Sequence, residues 1–225
     1  MEHCLKVLIC ASTEGEIAGI KPSETVDTLV TGVGYFSTIY NLTKRLLLHE
    51  YCLVFAVGIA GDYRLDNPVP QLYVVNNARF ADTGFEGENG EFVPLVGSKF
   101  MPGNQFPFSN GVIHSHIAQH FAQHFGVDMC TVNTVNQTRT DRKYIEKMLK
   151  KFPAEIETME SAALHYVAQL QGVPMIEIRA TSNHVAPKSS EKWIISEAVD
   201  MLNIFLNKQI LNKDINDLTR IICQY

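Results

Sequence analysis

The sequence is short of cysteine, of positive charge and of long apolar runs, and each shortage removes a class of function. Its five cysteines (Cys4, Cys10, Cys52, Cys130 and Cys223) are odd in number, scattered and never form a C-x-x-C pair. Neither a disulfide framework nor a cysteine metal site is expected. Cys10, Cys52 and Cys130 sit in or beside apolar runs, where a reduced thiol behaves as a small hydrophobe. Lysine and arginine number 19 against 24 acidic residues, a net charge of -5. No basic stripe offsets that balance, so the electrostatic attraction a nucleic-acid binder relies on is missing. A small neutral or weakly charged ligand fits better. No stretch approaches the ~20 apolar residues of a membrane span. Residues 4–11 lack a basic leader and a cleavage site, so no signal peptide and a cytoplasmic location are expected. No G-x-S-x-G nucleophile motif occurs. Gly32-x-Gly34 has Ser37 where a dinucleotide fingerprint needs its third glycine, which argues against a Rossmann cofactor site.

What is present is an ordinary globular composition, 46% hydrophobic and 19% charged over 225 residues. That length suits one sizeable α/β domain, and one domain spanning residues 1–225 is expected. Short β-rich runs alternate with helical patterns. Residues 5–11, 26–31, 52–57, 71–80, 127–132 and 174–180 read as strands. Residues 35–50, 111–125, 140–152, 160–171 and 191–206 read as helices, with a short helix at 214–223. The stretch 81–110, rich in glycine, proline and aromatic residues, reads as a long loop with at most a short strand, and a loop of that size is often functional. Strands alternating with helices imply a largely parallel sheet covered on both faces. Ligands in such folds sit at strand ends. Three strand ends carry unusual residues: Ser12 to Glu16, the Gly58-Ile59-Ala60-Gly61 turn, and Ser182-Asn183.

Taken singly, these features have ordinary explanations. Glu14 and Glu16, and likewise Glu157 and Glu160, fit the acids that favour helix N-termini. Gly58-Ile59-Ala60-Gly61 lets backbone approach a ligand closely but is equally a tight strand exit. His116, His120 and His124 at four-residue spacing span about 12 Å of a helix axis, too far for one shared ion. One pair four residues apart could hold a metal with a third ligand from elsewhere, but a solvated helix face is the favoured reading, and no metal is expected.

In combination they say more. Ala11-Ser12-Thr13-Glu14-Gly15-Glu16-Ile17 resembles the acidic element after the first strand of the purine nucleosidase and nucleoside phosphorylase superfamily. Val30-Thr31-Gly32-Val33-Gly34 and Gly58-Ile59-Ala60-Gly61 resemble its two glycine turns. Thr158-Met159-Glu160-Ser161-Ala162-Ala163 resembles its Met-Glu signature. Ile178-Arg179-Ala180-Thr181-Ser182-Asn183 resembles its last strand, with Asn where the superfamily commonly has Asp. The five elements occur in family order. Within the superfamily the chain is most similar to futalosine hydrolases, through Arg179-x-x-Ser182-Asn183, Val185, Pro187, Trp193 and Ala81-Asp82-Thr83-Gly84-Phe85-Glu86.

That resemblance implies a single-domain nucleoside-phosphorylase-like α/β fold, with a mixed central sheet flanked by helices on both sides. It implies hydrolysis of the N-glycosidic bond of futalosine to dehypoxanthinylfutalosine and hypoxanthine, in menaquinone biosynthesis, without a cofactor. Glu16 would polarise the water and Asn183 would stabilise the leaving purine. Glu160 would hold the ribose hydroxyls, Met159 would pack on the sugar, and Ile59, Ala60 and Gly61 would line the pocket. Ser182 would orient Asn183, and Arg179 would support that loop. A homodimer or higher homo-oligomer is expected, and Phe85, Phe106 or Phe108 could close over the ligand. The rivals are a methylthioadenosine/S-adenosylhomocysteine nucleosidase, a purine nucleoside phosphorylase and an inactive nucleoside-binding module. The phosphorylase is disfavoured because no Gly-Asp-Pro-x-Arg loop occurs and Arg79 is the only early arginine near a strand end.

Overall fold

The computed structural model describes residues 6–186, 193–214, 217, 218 and 220. Cys4, Cys223, Pro187 and part of the helix expected at 214–223 lie outside them.

The first strand, β1 (Val7–Ala11), leads into a single helical turn, α1 (Glu14–Ile17). Then follow β2 (Val26–Val30), α2 (Tyr35–Leu48), β3 (Leu53–Asp62) and β4 (Leu72–Phe80). Within the long loop, β5 (Gly84–Glu86) and β6 (Phe92–Pro94) form a hairpin. The chain continues through β7 (Ile113–His114), α3 (Ala118–Phe125), β8 (Asp128–Thr134), α4 (Arg142–Lys151), β9 (Ile156–Thr158), α5 (Ser161–Leu170), β10 (Met175–His184) and α6 (Ile195–Phe205). A π-helical turn, Leu206–Leu211, extends α6.

The main sheet runs β10-β4-β8-β9-β3-β1-β2, and β10 also pairs with β3. Five strands therefore close into a ring, from which β1 and β2 extend. The sheet is mixed: β10 runs antiparallel to β4, and β9 antiparallel to β3. Continuous apolar runs become strands because both faces are covered. Val7, Ile9, Phe55 and Ile176 pack with Phe121, Ala198 and Leu202 on the layer formed by α3 and α6. Leu8, Cys10, Val54 and Ala56 pack with Leu42, Leu164 and Val167 on the layer formed by α2 and α5.

Three expectations are corrected. Gly58-Ile59-Ala60-Gly61 is not a turn, because β3 continues through it to Asp62 paired with β10. Likewise Ser182 and Asn183 lie within β10 and not beyond its end. The helix expected at 111–125 starts only at Ala118. Asn110 and Gly111 take positive φ, and Ile113 and His114 pair with β4 instead. His116 thus precedes the helix, and the three histidines share no helical face.

The feature that creates the site is a fork along one edge of β3. Residues 53–56 pair with β1, and Gly61 and Asp62 pair with β9. Residues 57–60 have no strand partner on that edge, so their polar backbone must find other partners. Glu16 of α1 accepts the Ile59 N–H, and the carbonyls of Ile59 and Ala60 accept from the side chains of Arg179 and Ser182.

Candidate active site

At the fork lies a cavity of about 770 Å³. The residues to which the resemblance gave catalytic or substrate-binding roles line it: Glu16, Ile59, Ala60, Gly61, Met159, Glu160, Ser182 and Asn183. Glu14 does not, being exposed on α1.

Glu16 is both a helix-start residue and a cavity residue. Its Oε2 accepts from Thr13 N and Thr13 Oγ1, each at 2.9 Å, closing a capping box. Its Oε1 accepts from Ile59 N at 2.9 Å, one of the backbone donors stranded by the fork. A carboxylate offers about four acceptor positions, so one remains for a ligand or a water.

Glu160 stands at the N-cap of α5 and is 5% exposed. Gly34 N donates to its Oε1 at 2.8 Å. Gly34 takes a positive φ of 84° at the turn before α2, a conformation that favours glycine. Burial raises the Glu160 pKa, while Arg179 and the Gly34 N–H act in the opposite sense.

Arg179 was expected to support a loop carrying Ser182 and Asn183, but all three residues lie in β10. It is a strand residue, 1% exposed, whose Nε donates to Glu177 Oε1 at 2.6 Å and whose Nη1 lies 3.8 Å from Glu160 Oε2. Glu177 also receives the Ser161 hydroxyl and lies 3.0 Å from His165 Nε2. Burial would raise the Glu177 pKa, but Arg179, His165 and Ser161 outweigh it and hold the group at about 2. Burial disfavours the charged guanidinium too, and Glu177, Glu160 and Glu16 more than restore it, so the Arg179 pKa is raised. Three carboxylates thus face one cation beside the cavity. Glu177 and His165 were missed by sequence reasoning, although Glu177-Ile178-Arg179 puts two charges into an otherwise apolar strand.

Asn183 owes its direction to a bulge. The β10–β3 register shifts at Ser182, so Thr181 faces Ala60 and Asn183 faces Gly61. One extra residue in a strand turns each later side chain to the opposite face. The Asn183 amide is oriented from both ends: Ser182 Oγ donates to Oδ1 at 3.0 Å, and Nδ2 donates to the His184 carbonyl at 2.9 Å. A flipped amide would set its oxygen against that carbonyl, so the network fixes the assignment.

Further lining residues are Val33, Thr138, Arg139, Glu157, Trp193, Ile195, Val199 and Asp200. Glu157 belongs to β9 and not to a helix start. Arg79 lies outside the cavity, its guanidinium 5.9 Å from the Phe152 ring centre. Phe85, Phe106 and Phe108 do not line it either. Phe108 is buried against Phe80 and Tyr166. The described residues contain no group of acids, histidines or cysteines that could hold a metal ion, and no described helix is long and apolar enough to cross a membrane.

Gly58 is where the two halves of the site meet. A Cβ there would stand 2.4 Å from Arg179 Nη1 and 2.6 Å from Glu16 Oε1. Neither group can yield freely, since both are buried and hydrogen-bonded. Overpacking of this kind typically costs about 1–3 kcal/mol, which for a chain of this size lowers Tm by roughly 2–12 °C. Gly58→Ala is expected to melt in that lower range. Gly15→Ala, whose Cβ meets only Thr13 Oγ1 at 4.0 Å, should match the parent. A Gly58→Ala protein that melts with the parent would show that the close approach is not real.

A family profile described as the phosphorylase superfamily matches residues 17–210. The chain is 29% identical to a futalosine hydrolase of Streptomyces coelicolor over 159 residues, 70% of this chain and 65% of that protein. The match thus spans just under two thirds of that relative's length. It is 26% identical to a futalosine hydrolase of Acidothermus cellulolyticus over 193 residues, 82% of this chain and 75% of that one. Among solved structures it is similar to the native futalosine hydrolase of Helicobacter pylori strain 26695, with a TM-score of 0.67, 15% identity and 100% of both chains covered. It is also similar to the Helicobacter pylori methylthioadenosine/S-adenosylhomocysteine nucleosidase complexed with a pyrrolidine ligand, with a TM-score of 0.66, 15% identity and 99% and 100% coverage. With the profile covering most of its length and the sheet fork carrying the matched motifs, the chain belongs to the phosphorylase superfamily.

Proposed function

We propose that the protein hydrolyses the N-glycosidic bond of a purine nucleoside, with futalosine as substrate and hypoxanthine as the released base. The observation that carries this reading is the convergence of Glu16, Glu160 and the Asn183 amide on one cavity. The curated relatives named above support the choice of futalosine.

Cleaving this bond requires an activated water, relief of positive charge on the sugar and stabilisation of the departing base. Glu16, with one acceptor position left, takes a proton from the attacking water as its oxygen bonds to the anomeric carbon. Glu160 accepts hydrogen bonds from the ribose 2′- and 3′-hydroxyls, and Met159 packs against the sugar. The carboxylate excess around Arg179 favours an oxocarbenium-like cation over the neutral ground state. The C–N bond electrons leave with the base, whose N7 or O6 accepts the one Asn183 N–H not given to the His184 carbonyl. An amide gives up no proton, so the departing base is protonated from water. Backbone at Ile59, Ala60 and Gly61 forms the floor.

Water is favoured over phosphate as nucleophile. Arg79 is remote from the cavity, and Arg179 is committed to Glu177. Arg139 does line the cavity, but its guanidinium lies 4.4 Å from the Tyr144 ring centre, on the 135–141 side and not beside Glu16. An inactive binding module has no use for a buried carboxylate that keeps an open acceptor position. The methylthioadenosine nucleosidase reading is favoured by the solved neighbours and opposed by Asn183, because adenine presents a donor at its 6-position.

We infer a homodimer from α2. Phe36, Tyr40 and Leu47 are 64–71% exposed along it, next to Val33 at 57%, and Val33 also lines the cavity. Exposed apolar patches of this kind mark interaction sites. Sedimentation should give a dimer for the parent protein and a monomer for Phe36→Glu; a parent that sediments as a monomer removes the inference.

Incubation with futalosine, methylthioadenosine and inosine, with and without phosphate, tests the reaction. Hypoxanthine should be released from futalosine at a rate independent of phosphate, with no ribose 1-phosphate formed. Asn183→Asp is expected to lower kcat/KM for futalosine and shift preference toward adenine release by roughly ten- to hundredfold, as unpaired buried groups cost about 1–3 kcal/mol. An unchanged preference, or a parent enzyme that favours methylthioadenosine, would sink the futalosine assignment.

Glu16→Gln retains shape but cannot accept the water's proton. Loss of a general base typically costs about 10²–10⁴-fold in rate. Turnover should fall by that factor with little change in Tm. Near-full turnover would leave Glu16 as a helix-capping residue only.

A further inference from the structure

One guanidinium sits among three carboxylates, and the distances show how its charge is shared. Arg179 Nε donates to Glu177 Oε1 at 2.6 Å, whereas its Nη1 stands 3.8 Å from Glu160 Oε2 and donates to the Ile59 carbonyl at 3.4 Å. Nη1 and Glu16 Oε1 both lie within 2.6 Å of the point where a Gly58 Cβ would be. The same cation therefore makes a close ion pair with Glu177 and a looser one with Glu160. Their protonation reflects the split: Glu177 is held at about 2, while burial leaves the Glu160 pKa raised.

Neither Glu177 nor Arg179 lines the cavity. Residues two apart on a strand share a face. Against that face α5 presents Ser161 and His165, four residues apart and so neighbours on the helix surface. The Ser161 hydroxyl donates to Glu177 Oε1, and His165 Nε2 lies 3.0 Å from Oε2. An ionised carboxylate only accepts, so Nε2 is the ring nitrogen that carries the hydrogen. Ser161 is itself held by Thr158, whose Oγ1 lies 2.6 Å from the serine oxygen and accepts from its backbone N–H at 3.2 Å. Cys10 and Cys130 also feel the charge of Glu177. Burial pushes both thiols up, Cys10 to about 12, so neither adds a charge.

We propose that Glu177 is the counter-ion that keeps Arg179 from neutralising Glu16 and Glu160. It touches no substrate and acts through the guanidinium. This rests on the nucleosidase reading above and adds what keeps the negative charge of its two carboxylates available. A close ion pair largely cancels its own field, while unmatched charges act strongly where water is excluded. With Arg179 matched by Glu177, the charges of Glu16 and Glu160 are left for the sugar as it becomes cationic. Without the charge of Glu177, the guanidinium would serve those two carboxylates instead. The neutral nucleoside would bind as before, because the N–H groups of Gly34 and Ile59 hold Glu160 and Glu16 in place. Only the cationic transition state would lose stabilisation, which lowers kcat and spares KM.

The test compares two inert substrate analogues with the same hypoxanthine-like base. One carries a protonated pyrrolidine in place of ribose, the other a neutral cyclopentane of the same shape. Calorimetry on the parent protein should show the cation bound about tenfold more tightly or better, as expected of a transition-state mimic. Glu177→Gln keeps the shape and an acceptor but loses the charge. It should shrink that preference about tenfold and lower kcat for futalosine by a similar factor, with KM within about twofold. Glu177→Asp keeps the charge on a shorter stem and should stay within about threefold of the parent in both measurements. A role in packing or hydrogen bonding alone predicts the opposite order, since Gln fills the site of Glu and Asp leaves a gap. A parent that prefers the cation and releases hypoxanthine, with a Glu177→Gln preference equal to its own, overturns this assignment alone. So does loss of the preference in Glu177→Asp, which decides the point even where Glu177→Gln does not fold. A parent that releases no hypoxanthine and shows no preference for the cation overturns it together with the functional reading beneath it.

Discussion

The site depends on one buried cation. A guanidinium sealed from water is tolerated only when anions and acceptors surround it, and removing a single partner of such a pair typically costs about 3–5 kcal/mol. Arg179 meets that demand with Glu177 two residues away on the same strand face, with Glu160 from the start of α5, and with the Ile59 carbonyl at 3.4 Å. The strand opposite it must present a glycine, since any Cβ at Gly58 would collide with both Arg179 and Glu16. One electrostatic requirement therefore sets the positions of three carboxylates and explains one glycine.

The fork in β3 provides the other half. Where β1 ends and β9 has not yet begun, backbone donors are left without strand partners. Glu16 takes the Ile59 N–H, and Glu160 takes the Gly34 N–H from the turn after β2. Both carboxylates are thus held by the backbone of neighbouring segments. That explains how a residue can cap a helix and serve a cavity at once: the capping box uses one oxygen of Glu16, and the other points at the fork. The two roles that Glu16 could play by sequence alone were never exclusive.

Division of the cavity follows from its walls. One end is lined by the carboxylates of Glu16 and Glu160 and by Met159, and concentrates negative charge. The other end is lined by Asn183, Glu157 and the Val185 side chain, which stands over Gly61. The bulge at Ser182 is what joins the two ends, because it lets one strand place Arg179 on one face and Asn183 on the other.

Much of this was legible in the sequence by itself. Apolar runs at 5–11, 52–57 and 174–180 are long enough and rich enough in valine and isoleucine to be strands covered on both sides. The five family-like elements marked Glu16, Met159, Glu160, Ser182 and Asn183, and all of them line the cavity. The sequence could not show that Gly58-Ile59-Ala60-Gly61 continues a strand, because glycine signals both a turn and a close approach, and only the neighbouring guanidinium decides which. Nor could it show that Glu157 faces a cavity, since that depends on a register across three strands far apart in the chain. Local pattern determines which segments are strands and helices; pairing between distant segments decides which charges are buried together, and burial is what turns ordinary carboxylates into a site.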